Sequence, residues 1–125
     1  MPEQLQNKYR GSKDYARVYS ELITAAKYRG TLTYQEIAKM MGLPLSGVHL
    51  PGVTGKILGE ISEDEVSNGR PMLSALAVGV KGLPGPGFYN LARKLGKLNL
   101  EEDEQQFWQK ECQAVYNVWK MELKS

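Results

Sequence analysis

Reactive and metal-binding side chains are scarce in this 125-residue chain, which has one cysteine, Cys112, and one histidine, His49. A lone cysteine forms no internal disulfide, in keeping with a reducing compartment. With the only thiol and the only imidazole far apart in sequence, a metal centre would need several carboxylates to complete it, so no metal is expected. No stretch approaches the roughly 18–20 consecutive apolar residues of a membrane-spanning helix, and the N-terminus MPEQLQNKYR has no apolar signal core. These absences predict a soluble, cytoplasmic protein that makes no membrane contact. What is present is ordinary for a compact chain: 42% apolar, 9% aromatic and 24% charged residues, which excludes collagen-like and disordered classes. The length supports one core, and residues 1–125 are read as a single domain.

The net charge is only +2, but the charges are segregated. Residues 1–30 carry Lys8, Arg10, Lys13, Arg17, Lys27 and Arg29 against three acids. Glu60, Glu63, Asp64 and Glu65 then cluster without a base. Residues 67–98 hold Arg70, Lys81, Arg93, Lys94 and Lys97 with no acid, and Glu101–Glu104 are all acidic. Such alternation permits a basic face on a nearly neutral protein, as does a solvated mosaic. Lys8, Tyr9, Arg10 and Lys13, and again Lys27, Tyr28 and Arg29, interleave cations with aromatics in a composition suited to phosphate contact and stacking.

From Asp14, the positions Tyr15, Val18, Tyr19, Leu22, Ile23 and Ala26 recur at helical spacing, ending at Gly30 as a left-handed cap. Thr33 and Glu36 have capping-box spacing and start a short helix from Tyr34 to about Met41, closed by Gly42 and Pro44. Residues 43–52 read as loop. A third helix is expected near Val53, with Val53, Ile57, Leu58 and Ile61 inward and Thr54, Lys56 and Glu60 outward, and with a break near Ser62, whose spacing to Glu65 is that of a second capping box. Arg70 to Val80 reads as a buried strand, 81–87 as a stiff turn, and Phe88 to Leu98 as helix. The last helix, about Glu101 to Leu123, aligns Trp108, Cys112, Val115 and Trp119 on one seam, with Phe107, Ala114, Val118 and Met121 beside it. The fold class is therefore mainly α with a small β component: a helix-turn-helix or winged-helix-like core over 14–98 plus a long C-terminal helix over 101–123.

Ile37, Ala38, Met41, Gly42 and Leu43 match the first half of a helix-turn-helix, where a small Ala lets the second helix approach and Gly permits the turn. About ten further residues separate it from the third helix. Residues 30–44, GTLTYQEIAKMMGLP, followed by Val53-Thr54-Gly55-Lys56-Ile57-Leu58 and Arg70-Pro71-Met72-Leu73, distantly resemble the winged-helix domain of alkylguanine-DNA alkyltransferase-like proteins over about half of the chain. The resemblance implies a DNA-facing Tyr34 and a DNA-facing helix near Thr54, Gly55 and Lys56. Gly52 stands where that family has the arginine that fills the vacated base stack. Met72 or Leu76, depending on register, stands where it has the reactive cysteine, and neither side chain can become a thiolate nucleophile. No alkyl transfer is implied.

The remaining groups suggest no catalyst. Cys112 sits on an apolar seam, the acids of 60–65 read as solvated partners of a helix end, and His49 as a loop residue. KGLPGPG lacks the G-K-S/T of a nucleotide loop, although its exposed amides could meet phosphate or form a wing. The expected function is non-catalytic, without cofactor: binding of DNA, duplex rather than single-stranded, by a regulator or accessory subunit. Lys39, Thr54, Gly55, Lys56, Arg70 and Lys81 would contact it, with Tyr34 beside them. The alternative is a protein-interaction adaptor or homodimer in which Trp108, Val115 and Trp119 of the C-terminal helix form the interface.

Overall fold

The computed structural model describes residues 8–120, and among them the chain forms five helices and a two-stranded parallel sheet. The fold class is thus mainly α with a small β component. Helix α1 spans Lys13–Lys27, with Ser12 accepting from the Tyr15 amide and Asp14 in the first turn. Val18, Leu22 and Ala26, four residues apart, are its buried stripe. The left-handed cap is Arg29 (φ 56°) and not Gly30: the Arg29 amide donates to Ala26 O and the Gly30 amide to Ala25 O, so the reversal falls one residue earlier than the glycine suggests. Tyr116 donates its hydroxyl to Gly30 O and helps hold that corner.

Strand β1, Leu32–Thr33, leads directly into α2, Tyr34–Met40. The capping box forms as the spacing predicts: Thr33 Oγ1 accepts from the Glu36 amide, and the Glu36 carboxylate accepts from the Thr33 amide. Gly42 (φ 70°) then ends α2 with the Leu43 amide bonded to Ala38 O.

Helix α3, Leu50–Ser67, starts three residues earlier than expected, because Pro51 in its first turn gives up an amide that has no intrahelical partner there. It runs without a break, and Ser62 is buried within it. Its inward face also differs from the expected one. Thr54 and Glu60 are buried while Val53 is exposed, since Thr54 bonds Leu50 O within the helix and Glu60 finds partners in the chain before α1.

The expected strand over Arg70–Val80 is mostly something else. Leu73–Leu76 is a turn of 3-10 helix, and only Ala77–Val78 (β2) pairs, in parallel register with β1 as Leu32↔Ala77 and Thr33↔Val78. The whole of Met72–Val78 is buried. A continuous apolar run does not by itself distinguish strand from other buried structure, and here helices rather than a ladder satisfy the backbone. Glu111 accepts from the Met72 amide, Ser62 Oγ from the Ser74 amide, and Ala75 O receives both Trp108 Nε1 (2.8 Å) and Cys112 Sγ (3.5 Å).

The turn after β2 is closed by Gly79 N to Leu83 O and enters α4, Pro86–Lys94, two residues before the expected start. No strand returns from it among the described residues, so it is not a β-wing. Helix α5, Glu104–Trp119, begins at the Asp103 cap rather than at Glu101. Met121 and Leu123 lie outside the described residues. Phe107, Cys112 and Val115 of α5 join one buried cluster with residues of every other element, with Trp108 and Trp119 packed against it.

Candidate nucleic-acid interface

Helix α3, about 27 Å long at 1.5 Å per residue, divides into two chemically opposite halves. Its second half carries Glu60, Glu63, Asp64 and Glu65, and this cluster faces inward instead of forming a solvated helix end. Glu60 (2% exposed) accepts the backbone amides of Tyr9 and Arg10, each at 2.9 Å. The Arg10 guanidinium bridges Glu63 (2.9 Å) and Asp64 (3.0 Å). Tyr15 and Tyr19 of α1 donate their hydroxyls to Asp64 and Glu65. Glu65, fully buried, also holds Arg70 at 2.8 Å, and that guanidinium lies 5.6 Å over the Trp119 ring. The basic and aromatic residues 9, 10, 15, 19 and 70 are therefore occupied inside the molecule.

The first half of α3 bears no acid: between Glu36 and Glu60 the only ionisable residues are Lys39, His49 and Lys56. The exposed face shows Gly52, Val53, Gly55 and Lys56, and the helix starts without a side-chain cap. Beside it lies the 79–85 turn. Tyr34 Oη accepts from the Gly85 amide at 2.7 Å, and a Cβ on Gly85 would stand 3.1 Å from Pro51 Cβ, so α2, α3 and the turn meet at one end. Lys39, Lys56 and Lys81 are exposed and form no ion pair among the described residues. Val80 (89% exposed) and Leu83 form an apolar tip on the turn.

The structure thus separates the expected DNA contacts. Gly55, Lys56, Lys39 and Lys81 are accessible. Tyr34 (6% exposed) and Thr54 (0%) are not, because one ring braces the turn and the other hydroxyl is tied to its own helix. Arg70 is committed to Glu65. The expected partner interface on α5 is corrected likewise: Val115 is fully buried, Trp108 is tied to Ala75 O and Trp119 packs on the cluster. Of its apolar residues Val118 is exposed.

Sequence reasoning missed the buried roles of Glu60 and Glu65. Apart from Arg70, five residues from Glu65, their partners lie 46 to 51 residues away, and no local spacing signals that distance. The one local clue was four acids in six positions on a helix that otherwise buries Ile57 and Ile61.

Cys112 has its thiol pushed up to about 12, chiefly by burial and then by neighbouring Glu111, which removes it as a nucleophile near neutrality. A second feature adjoins the basic end: a cleft of about 140 Å³ between α3 and α4. Gly55, Gly59 and Gly87 line it, and a Cβ at any of them would meet no neighbour within 4 Å. Helical glycines cost roughly 0.5–1 kcal/mol each relative to alanine, so packing within the chain does not account for them.

Comparison with protein-family models, curated proteins and solved structures finds no match. No helix among the described residues is long and apolar enough to cross a membrane.

Proposed function

We propose that the protein is a non-catalytic DNA-binding module that meets duplex DNA with the N-terminal half of α3. One observation carries this reading. Every acid of α3 is paired internally in its second half, leaving exposed Lys56 as the only charged side chain in the first half of an 18-residue helix whose Gly52 and Gly55 allow close backbone approach, with Lys39 of α2 and Lys81 of the turn also exposed. Val80 and Leu83 would supply apolar contact to sugars or thymine methyls. Tyr34 and Thr54 act here by holding the turn and the helix.

Binding would rest on counterion release. With three lysines at phosphates, log affinity should fall against log salt with a slope near −2.7, from about 0.9 per phosphate. Fluorescence anisotropy of a labelled duplex at several salt concentrations tests this. Lys56→Glu should weaken binding about tenfold or more, whereas Glu102→Lys should not weaken it. No binding at low salt would reject the reading. That outcome would favour a protein-interaction adaptor, for which the exposed Val80 and Leu83 argue.

A further inference from the structure

We propose that the cleft between α3 and α4 is a binding site for a small molecule with a compact apolar body and one hydrogen-bond-accepting oxygen. The site adjoins the basic surface, with Gly55 at their border, and does not rest on the DNA reading.

Size comes first. About 140 Å³ is close to the roughly 150 Å³ of an engineered apolar cavity that takes up benzene. Leu58, Phe88 and Leu91 supply apolar walls and no charged side chain lines the cleft. The chain keeps this space open, since Gly55 and Gly59 on α3 and Gly87 on α4 leave room that a side chain would fill without displacing anything.

Two buried hydroxyls reach the wall. Tyr34 and Ser74, 6% and 5% exposed, both line the cleft. The Tyr34 oxygen already accepts from the Gly85 amide, and the Ser74 oxygen accepts from Ser62 Oγ at 2.7 Å. The Tyr34 O–H has no acceptor among the described residues, whereas the Ser74 and Ser62 hydroxyls satisfy each other. Burial raises the Tyr34 pKa, outweighing the opposing bond from Gly85, so the phenol keeps its proton at neutral pH. Helix α4 also begins at the cleft without a side-chain cap; Pro86 has no N–H and the Phe88 amide bonds Gly85 O, so the Gly87 amide is the donor its first turn adds. A buried phenol O–H without an acceptor, beside an apolar space of ring size, describes a carbonyl or carboxylate on a small hydrocarbon body.

The test is titration of the isotopically labelled full chain, followed by amide chemical shifts, with cyclohexanone, benzoate and toluene. Cyclohexanone or benzoate should produce saturable shifts at Gly55, Gly59 and Gly87, with toluene about tenfold weaker for want of an acceptor. Tighter binding of benzoate would identify an anionic ligand and tighter binding of cyclohexanone a neutral carbonyl. Gly59→Leu, which fills the cleft, should abolish the shifts while the chain melts no lower than the parent. Tyr34→Phe, which removes the O–H without an acceptor, should narrow the gap between cyclohexanone and toluene. No saturable shift with any probe, toluene binding as tightly as the oxygen compounds, or unchanged binding by a folded Gly59→Leu chain would each overturn the proposal.

Discussion

Glu65 is held by Arg70 from one side and by the Tyr19 hydroxyl from the other, with its own side chain fully buried. The pairing offsets what desolvation of the carboxylate would cost, and it makes alkaline pH the condition that loosens the fold. Burial, then the bond to Glu65, pushes Tyr19 up to about 12 from an ordinary 10.0, and burial pushes Cys112 to about 12 from 9.0. Both pKa values are raised on folding, so the stability they contribute is intact below the unfolded values and is lost as pH rises through the folded ones. The unfolding midpoint should be level from pH 7 to about 8.5 and decline from about pH 9 to 12, and Tyr19→Phe should flatten the part above pH 10. Thermal melts across that range check this, and an unchanged midpoint to pH 11 would contradict the assigned contacts.

Among the elements, α3 is the one whose surface was least readable from spacing. The stripe of Val18, Leu22 and Ala26 on α1 and the Thr33/Glu36 box on α2 follow from rules acting within four residues, and both form as expected. On α3 the same spacing rule assigns Thr54 and Glu60 outward, because polarity is taken as a proxy for exposure. That proxy fails where a hydroxyl satisfies itself on its own helix or a carboxylate meets distant amides. The glycines at the α3–α4 junction also divide by role. Gly59→Ala should raise stability by about 0.5–1 kcal/mol, as an unopposed helix-propensity gain. Gly85→Ala should lower it by about 1 kcal/mol, since its Cβ meets the rigid Pro51 ring at 3.1 Å. Denaturant unfolding of the two variants separates these signs.

At the level of the whole molecule, Glu60 fastens the chain ahead of α1 to the centre of α3. Its carboxylate receives two consecutive amides, Tyr9 and Arg10, and Tyr9 packs on the core. Replacing it with Leu leaves both donors unpaired and should cost about 2–3 kcal/mol. Exposed Lys56→Met should change stability by no more than about 0.5 kcal/mol. Hydrogen exchange would report the first loss locally, as rapid exchange of the Tyr9 and Arg10 amides. The same arrangement shapes the candidate interface: the acids of α3 are gathered in its second half around Arg10 and Arg70, and Lys56 is the charge of its first half.

Helix identities, the capping box on α2, the closure at Gly42 and the helical, weakly β character of the chain all follow from interactions spanning a few residues, and these were legible along the polymer. So were Lys39, Lys56 and Lys81 as accessible cations, although Glu36 and Glu60 stand at pairing distance from the first two along their helices. Folding alone settled that Tyr34 braces a turn, that the tyrosines of α1 serve carboxylates of α3, that the buried Met72–Val78 run is a 3-10 turn with only Ala77–Val78 paired as a strand, and that α5 closes on the same core. Each of these depends on groups brought together by loop closure over tens of residues, where desolvation and pairing, not periodicity, determine which polar side chains turn inward.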